Sequence, residues 1–303
     1  MTQRRYDMLA IDLDGTLIGP EGYVRRANID AVERARADGL EIVVCTGRGL
    51  IESGRHLSAI DARTPAHGRG VAPVVCAGGA MIANAVDDST MHRWAMRPEL
   101  VERLCDHFAE HERAPLLLKD RAAAGYDYLV VDTGPLEEPS KWWFKHMGVQ
   151  VRFVDSPADD EHPEHTIRVG FAAHESVMSV LGNSIIDRFG SETHTQHFAA
   201  VAGSKDGSGG VKQEAIHLLE VFDPQVNKWT AIHRLALGQG IDRARIAAIG
   251  DEINDVQMLE GAQLGIAMGN AVERTKAVAD VEAPSNADDG VAYAIDKILA
   301  GAW

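Results

Sequence analysis

The chain has 303 residues, and at roughly 150 residues per domain that length suggests about two domains. Hydrophobic residues make up 45% and charged residues 25%, the balance of an ordinary folded protein, which excludes a disordered or fibrous chain. Against 45 Asp and Glu stand 30 Lys and Arg, so the net charge of −15 repels phosphate backbones and anionic lipid; no nucleic-acid partner is expected, although local cations can still hold a small phosphorylated molecule.

The opening MTQRRYDMLAIDLDG has a short apolar stretch that Asp12 interrupts, so no signal peptide is predicted. Met8 to Leu13 then reads as a buried strand, Asn28 to Asp38 as a helix, and Leu40 to Cys45 as a second strand, together a βαβ unit. Val71 to Cys76 predicts another buried strand. Between about Val86 and His217 the texture changes: prolines and histidines are scattered, and Tyr126 to Val131, Thr166 to Ala172 and His194 to Val201 read as more alternating strands. Helices are predicted over Pro98 to Arg113 and Glu175 to Phe189, covering one face of that sheet. Gly203 to Gly210 reads as a turn-rich loop without the spacing of a phosphate loop. Beyond it, an amphipathic stretch runs from Lys228 to Leu237, and strands at Ile246 to Ile249 and Leu264 to Ala267 flank a helical stretch, Asn254 to Gly261. The expected architecture is α/β: a parallel-sheet core with helices on both faces over residues 1–85 and 218–303, interrupted by an inserted α+β domain over 86–217.

The three cysteines, Cys45, Cys76 and Cys105, are odd in number and form no CxxC pair, which argues against a disulfide framework or a zinc knuckle and points to a reducing cytoplasm. No run of about 18 apolar residues occurs, so no membrane span is predicted. Nothing in the sequence specifies an oligomeric state.

Chemistry concentrates at the predicted carboxyl ends of strands, where open parallel sheets bind ligands. Asp12-Leu13-Asp14-Gly15-Thr16 closes the first strand, and two residues apart on an extended backbone share a face, which would bring Asp12 and Asp14 together. Gly250-Asp251-Glu252-Ile253-Asn254-Asp255 follows another strand and adds carboxylates to the same rim. At about 4 Å two like charges repel by roughly 4 kcal/mol at an effective dielectric of 20, so clustered aspartates need a cation, and oxygen-only ligands suit Mg²⁺. Thr46-Gly47-Arg48 offers a hydroxyl and backbone amides to a phosphoryl oxygen, and Lys228 supplies a fixed positive charge. Those parts describe phosphoryl transfer.

DLDGT, CTGR, Lys228, GDEINDVQML, GIAMGNA and SNADDGVAYAI together resemble the motifs of the haloacid dehalogenase superfamily, in particular its Cof-type phosphatases, over about residues 6–84 and 222–300. The resemblance implies a Rossmann-like core with an inserted cap. It implies Asp12 as nucleophile forming an aspartyl-phosphate, and Asp14 as general acid and then base. Thr46 and Lys228 would hold the phosphoryl group, Asp251 would hold Mg²⁺ with Asp12 and the Asp14 carbonyl, and Asn254 and Asp255 would orient the lysine and the metal shell. Two positions depart from the pattern. Trp229 follows Lys228 where such phosphatases have glycine, which makes Lys212 the rival lysine, and Gly78-Gly79-Ala80 stands where Asn-Gly-Ala is common.

The implied activity is hydrolysis of a small phosphorylated metabolite. The alternatives are a phosphomutase or phosphotransferase with the same nucleophile, and a module that accepts phosphate on an aspartate without hydrolysing it. Taken singly, several residues have blander readings: Asn254 as a helix cap, Lys228 as a surface lysine at a helix start, His107 and His111 of an HxxEH match on a solvated helix face, and His162, His165 and His174 as solvated. Trp142, Trp143 and Phe144 read as core or cap surface.

Overall fold

The structure is a computed structural model and describes residues 4–65, 70–201, 204–205 and 211–303. The chain opens with β1 (Met8–Asp12), α1 (Arg26–Ala37), β2 (Glu41–Cys45), α2 (Leu50–Ala59), β3 (Pro73–Cys76), β4 (Met81–Asn84) and β5 (Ser89–Arg93). There follow α3 (Pro98–Glu110), β6 (Leu116–Lys119), α4 (Arg121–Ala124), β7 (Tyr128–Val131), α5 (Glu138–His146), β8 (Val151–Val154) and β9 (Thr166–His174). Next come α6 (Glu175–Phe189), β10 (His194–Val201), β11 (Ser204–Lys205), β12 (Val211–Gln213) and β13 (Ile216–Phe222). The last part holds α7 (Lys228–Gly238), β14 (Ile246–Gly250), α8 (Val256–Gly261), β15 (Leu264–Ala267), α9 (Glu273–Lys276), β16 (Val281–Glu282) and α10 (Gly290–Leu299). Two compact units result, Met1–His92 with Asn227–Trp303, and Arg93–Val226.

The first unit is built on a sheet of order β16-β15-β14-β1-β2-β3-β4-β5, parallel from β16 to β3. Every residue of β1 and of β14 is buried, as a strand covered on both faces requires. β1 lies between β2 and β14, with Met8 opposite both Glu41 and Ile246. The strand order therefore reverses at β1, and in such sheets the carboxyl ends of the strands at that reversal line a ligand crevice. Helices α1 and α10 pack together, joined by the Ala292 N–H that donates to the Asn28 side chain at 2.9 Å. Helices α7 and α8 form another packed pair, where the Trp229 ring lies against Gly261 so closely that a Cβ there would sit 2.1 Å from it.

The second unit has a sheet of order β10-β13-β9-β6-β7-β8, antiparallel except for the parallel pair β7 and β8. Leu104 and Phe108 of α3 and Leu181, Ile185 and Phe189 of α6 bury against Val169, Phe171 and Leu219 of that sheet. This is the α+β insert the sequence suggests, but both of its boundaries fall later than 86 and 217. The reason is sheet membership: β5 extends the first unit's sheet beside β4, while β13 sits inside the second unit's sheet between β10 and β9. Apart from β11, the turn-rich stretch at 203–210 lies outside the described residues. Among the described residues no helix is long and apolar enough to cross a membrane.

Candidate active site

Asp12 is the last residue of β1 and is buried. The chain turns at once, with Gly15 at φ 79°, and a Cβ on Gly15 would lie 2.2 Å from the Asp251 carboxylate. Extension thus ends at Asp12, so Asp12 and Asp14 do not share a strand face. The two carboxylates take different partners: Asp12 binds Lys228, and Asp14 binds Arg48.

Lys228 opens α7, where the Asn227 side chain caps the helix by accepting from the Thr230 N–H at 2.8 Å. Its ammonium is fully buried and donates to Asp12 Oδ1 (2.5 Å), Asp255 Oδ1 (2.6 Å) and Asn254 Oδ1 (3.3 Å). Burial alone would lower the lysine pKa, yet Asp12 and Asp255 outweigh it and hold the group charged well above its usual range. The rival, Lys212, belongs to β12 in the second unit. Trp229, in place of a glycine, leaves the helix intact: its ring stacks on His233 at 5.3 Å, with the Arg243 guanidinium over it.

Asp255 Oδ2 accepts from the backbone N–H groups of Asp251 (2.9 Å) and Glu252 (3.1 Å), so Asp255 ties the loop after β14 to the lysine. Capping at this turn falls to Asp255 and to Glu252, which accepts from the Ile253 N–H at 2.8 Å, and not to Asn254. Asp251 accepts from the Thr16 hydroxyl at 2.6 Å. Burial, with the Asp255 charge adding to it, pushes the Asp251 carboxyl up to about 7. Burial likewise raises Asp12 well above the carboxylate range, Asp255 adding to this while Lys228 opposes it.

Asp12, Asp251 and Asp255 present carboxylate oxygens within 4.8 Å of one another, all three buried. A single ammonium faces three carboxylates, which leaves the cluster short of positive charge. The donor set is oxygen only, which fits a hard divalent cation such as Mg²⁺. Asp255 accepts from Lys228 and from two backbone N–H groups, more than Asp12 or Asp251 accepts, so Asp12 and Asp251 are the carboxylates better suited to hold such an ion.

Thr46 follows β2 and is buried, its N–H donating to the Val75 carbonyl at 2.9 Å and its hydroxyl accepting from the Arg48 N–H at 3.1 Å. Gly47 completes the turn between them. Two backbone bonds lock this loop to the one after β3: Gly78 N–H to the Thr46 carbonyl (2.9 Å) and Ala77 N–H to the Arg48 carbonyl (2.8 Å). A Cβ on Gly79, at φ 104°, would lie 2.2 Å from the Asn227 carbonyl, so this turn also rests against the residue preceding Lys228. Arg48 does not stand alone as a phosphate ligand. Its guanidinium grips Asp14, with Nε donating to Oδ2 at 2.7 Å and a second, shorter bond to Oδ1.

Residues 9–295 match the haloacid dehalogenase-like hydrolase family. The chain belongs to that family. It is accordingly an enzyme, of the Cof-type phosphatase branch whose motifs it carries. It is similar to the 5-amino-6-(5-phospho-D-ribitylamino)uracil phosphatase YwtE of Bacillus subtilis, with 26% identity over 97% of this chain and 99% of that protein. The phosphatase YwpJ of Bacillus subtilis is 29% identical over 96% of this chain and 99% of its own. The fold is that of a haloacid dehalogenase-like hydrolase from Bacteroides thetaiotaomicron, with a TM-score of 0.74 at 20% identity, covering 97% of this chain and 99% of that one.

The reading of the histidines changes. His107 is buried, not solvated, and bonds Ser184 (2.9 Å) and Glu110 (3.1 Å). His162, His165 and His174 are half-buried. Trp142 is an exposed surface ring, while Phe144 packs on Tyr128. All three cysteines are buried and free. Thr16 and Asn270, which the sequence motifs contain without marking either as functional, also reach Asp251. The signal was their place beside Asp14 and after β15, at the same end of the sheet.

Proposed function

We propose that the chain is a Mg²⁺-dependent phosphomonoesterase that hydrolyses a small phosphorylated metabolite, a sugar phosphate or a phosphorylated cofactor, through an aspartyl-phosphate on Asp12. The observation that carries this reading is the buried Lys228 ammonium joining Asp12, Asn254 and Asp255 beside Asp251. Asp12, Asp251 and the Asp14 carbonyl would hold the ion. Bound there, Mg²⁺ supplies positive charge against the phosphoryl oxygens and screens the carboxylates from one another.

In the first step an Asp12 carboxylate oxygen forms a bond to phosphorus as the ester P–O bond breaks, and Asp14 gives its proton to the departing alcohol oxygen. In the second, a water oxygen attacks the same phosphorus, the bond to Asp12 breaks, and Asp14 takes the water proton. Ester plus water thus becomes alcohol plus phosphate. The Thr46 hydroxyl donates to a phosphoryl oxygen, and Lys228, its three N–H donors held by Asp12, Asn254 and Asp255, sets its positive charge beside the reacting carboxylate. Arg48 grips Asp14 as the ionised carboxylate, the form that takes the water proton, and for the acid step one of the two bonds gives way to the proton Asp14 donates. The phosphate ester that names YwtE supports a small phosphorylated substrate, and selection of its alcohol portion is assigned to the inserted unit. Three buried thiols fit a cytoplasmic setting.

The test is a screen of the purified protein against some dozens of phosphorylated metabolites with Mg²⁺, with Asp12→Asn as the blank. Phosphate release that needs both Asp12 and Mg²⁺ is expected. No release from any ester, or equal release by Asp12→Asn, overturns the reading.

A further inference from the structure

We propose that Asn270 is a positioning residue for the cation site, held in its working orientation by Asn286. The inference rests on the Mg²⁺-dependent reading above and concerns residues to which that reading gives no part.

Asn270 lies in the loop after β15. Its Nδ2 donates to the Gly15 carbonyl at 2.8 Å and stands 3.5 Å from Asp251 Oδ2. Its Oδ1 accepts from the Asn286 N–H at 2.8 Å, and the Asn286 side chain in turn donates to the Ile18 carbonyl at 2.9 Å. The orientation of the Asn270 amide follows from these partners. Turned over, it would aim an oxygen at a carbonyl and a carboxylate and an NH₂ at an N–H group.

Two loops far along the chain therefore hold the turn that follows Asp14. One donor group spans from that turn to the Asp251 carboxylate. The same loop is bonded to Asp251 through its backbone, Val272 N–H to the Asp251 carbonyl at 3.0 Å. The Gly15 carbonyl held by Asn270 belongs to the peptide after Gly15, so Asn270 anchors the turn beside Asp14, while its contact with the cation site itself is the one to Asp251. Asn270 is exposed, where each hydrogen bond adds only modestly to stability. Its larger effect is orientation, because partners that aim metal ligands commonly change affinity by about 10- to 100-fold.

The experiment measures Mn²⁺ binding by electron paramagnetic resonance, without substrate, in the wild type, Asn270→Ala, Asn286→Ala and the control Asp251→Asn. The Kd for Mn²⁺ is expected to rise about 10-fold or more in Asn270→Ala and by less in Asn286→Ala, with metal-free melting temperatures unchanged and turnover restored by excess Mg²⁺. Either variant that melts as the wild type and binds Mn²⁺ within about twofold of it overturns the inference, and so does lowered melting in both, which assigns the pair to the fold. Wild-type protein that binds Mn²⁺ but hydrolyses no ester defeats the phosphatase reading and leaves Asn270 to be judged on affinity alone. Wild-type protein that binds no Mn²⁺ overturns both.

Discussion

The guanidinium of Arg48 closes on both carboxylate oxygens of Asp14, and the arginine side chain is only 14% exposed while the aspartate is 50% exposed. A two-pronged pair fixes the carboxylate plane, which a single ammonium does not. Arg48→Lys is therefore expected to lower kcat about 10- to 100-fold, since a general acid and base is worth about that much or more, with the affinity for Mn²⁺ unchanged. Steady-state kinetics on whichever ester the screen yields decide this, and a kcat within twofold of wild type counts against a positioning role.

Lys228 is the counter-ion of two buried carboxylates, so its loss strands both. Lys228→Met should abolish turnover and, in the metal-free protein, cost about 3–5 kcal/mol in urea unfolding. Adding Asp255→Asn to that variant removes one stranded charge and should restore part of the stability with none of the activity. A double variant no more stable than Lys228→Met would show that the lysine acts on stability by some route other than Asp255.

The turn after β3 separates two glycines by conformation. Gly79 has no room for a Cβ against the Asn227 carbonyl, so Gly79→Ala should destabilise by about 1–3 kcal/mol and disturb the start of α7. Gly78, buried at φ 64° and ψ 14°, sits in the left-handed region that asparagine tolerates, so the backbone itself adds little strain in Gly78→Asn and this variant should lose less stability than Gly79→Ala. Equal losses in the two variants would refute this distinction.

His56 is buried on α2 and kept neutral. Burial first, then the positive charges of Arg48 and Arg55, lower its pKa from 6.5 to about 4, with Asp14 opposing them weakly. The Arg55 side chain donates to His56 Nε2 at 2.9 Å, which a protonated ring could not accept. Between those two pKa values the unfolded chain binds a proton at His56 that the folded one refuses, so the His56 contribution to stability is full above pH 6.5 and is lost as pH drops toward 4. The raised Asp12 and Asp251 carboxyls act in the opposite sense across that window, so the check is a difference: the wild-type urea midpoint should fall relative to that of His56→Gln as pH drops from 6.5 toward 4. Parallel curves would exclude His56 as the source.

The site was legible because its residues sit in short segments directly after apolar strands. Asp12, Thr46 and Asp251 each close or follow such a run, so strand ends brought those three together on paper, whereas Lys228, at a helix start, joins them through the family resemblance. What sequence spacing could not supply were contacts made by tertiary packing. Asp14 leaves Asp12 because the strand ends one residue earlier than alternation assumed, and Arg48 takes it across 34 residues of chain. Asn254 looked like a cap, yet the longer and the later acidic residues, Glu252 and Asp255, reach the free N–H groups. His107 looked solvated because a histidine on a helix face carries no sign of the Ser184 hydroxyl that meets it from α6. The insert boundaries moved because β5 joins the first unit's sheet beside β4 and β13 joins the second unit's sheet between β10 and β9, and sheet membership is not written in a strand's own residues.

The position of β1 between β2 and β14 has a consequence for synthesis. One flank of the central strand can pair as soon as β2 emerges, but the other must wait until nearly the whole chain has been made. At about 5–20 residues per second that interval is on the order of tens of seconds. Throughout it the nascent protein carries an apolar strand with an open edge, the kind of surface to which chaperones bind and from which aggregates grow.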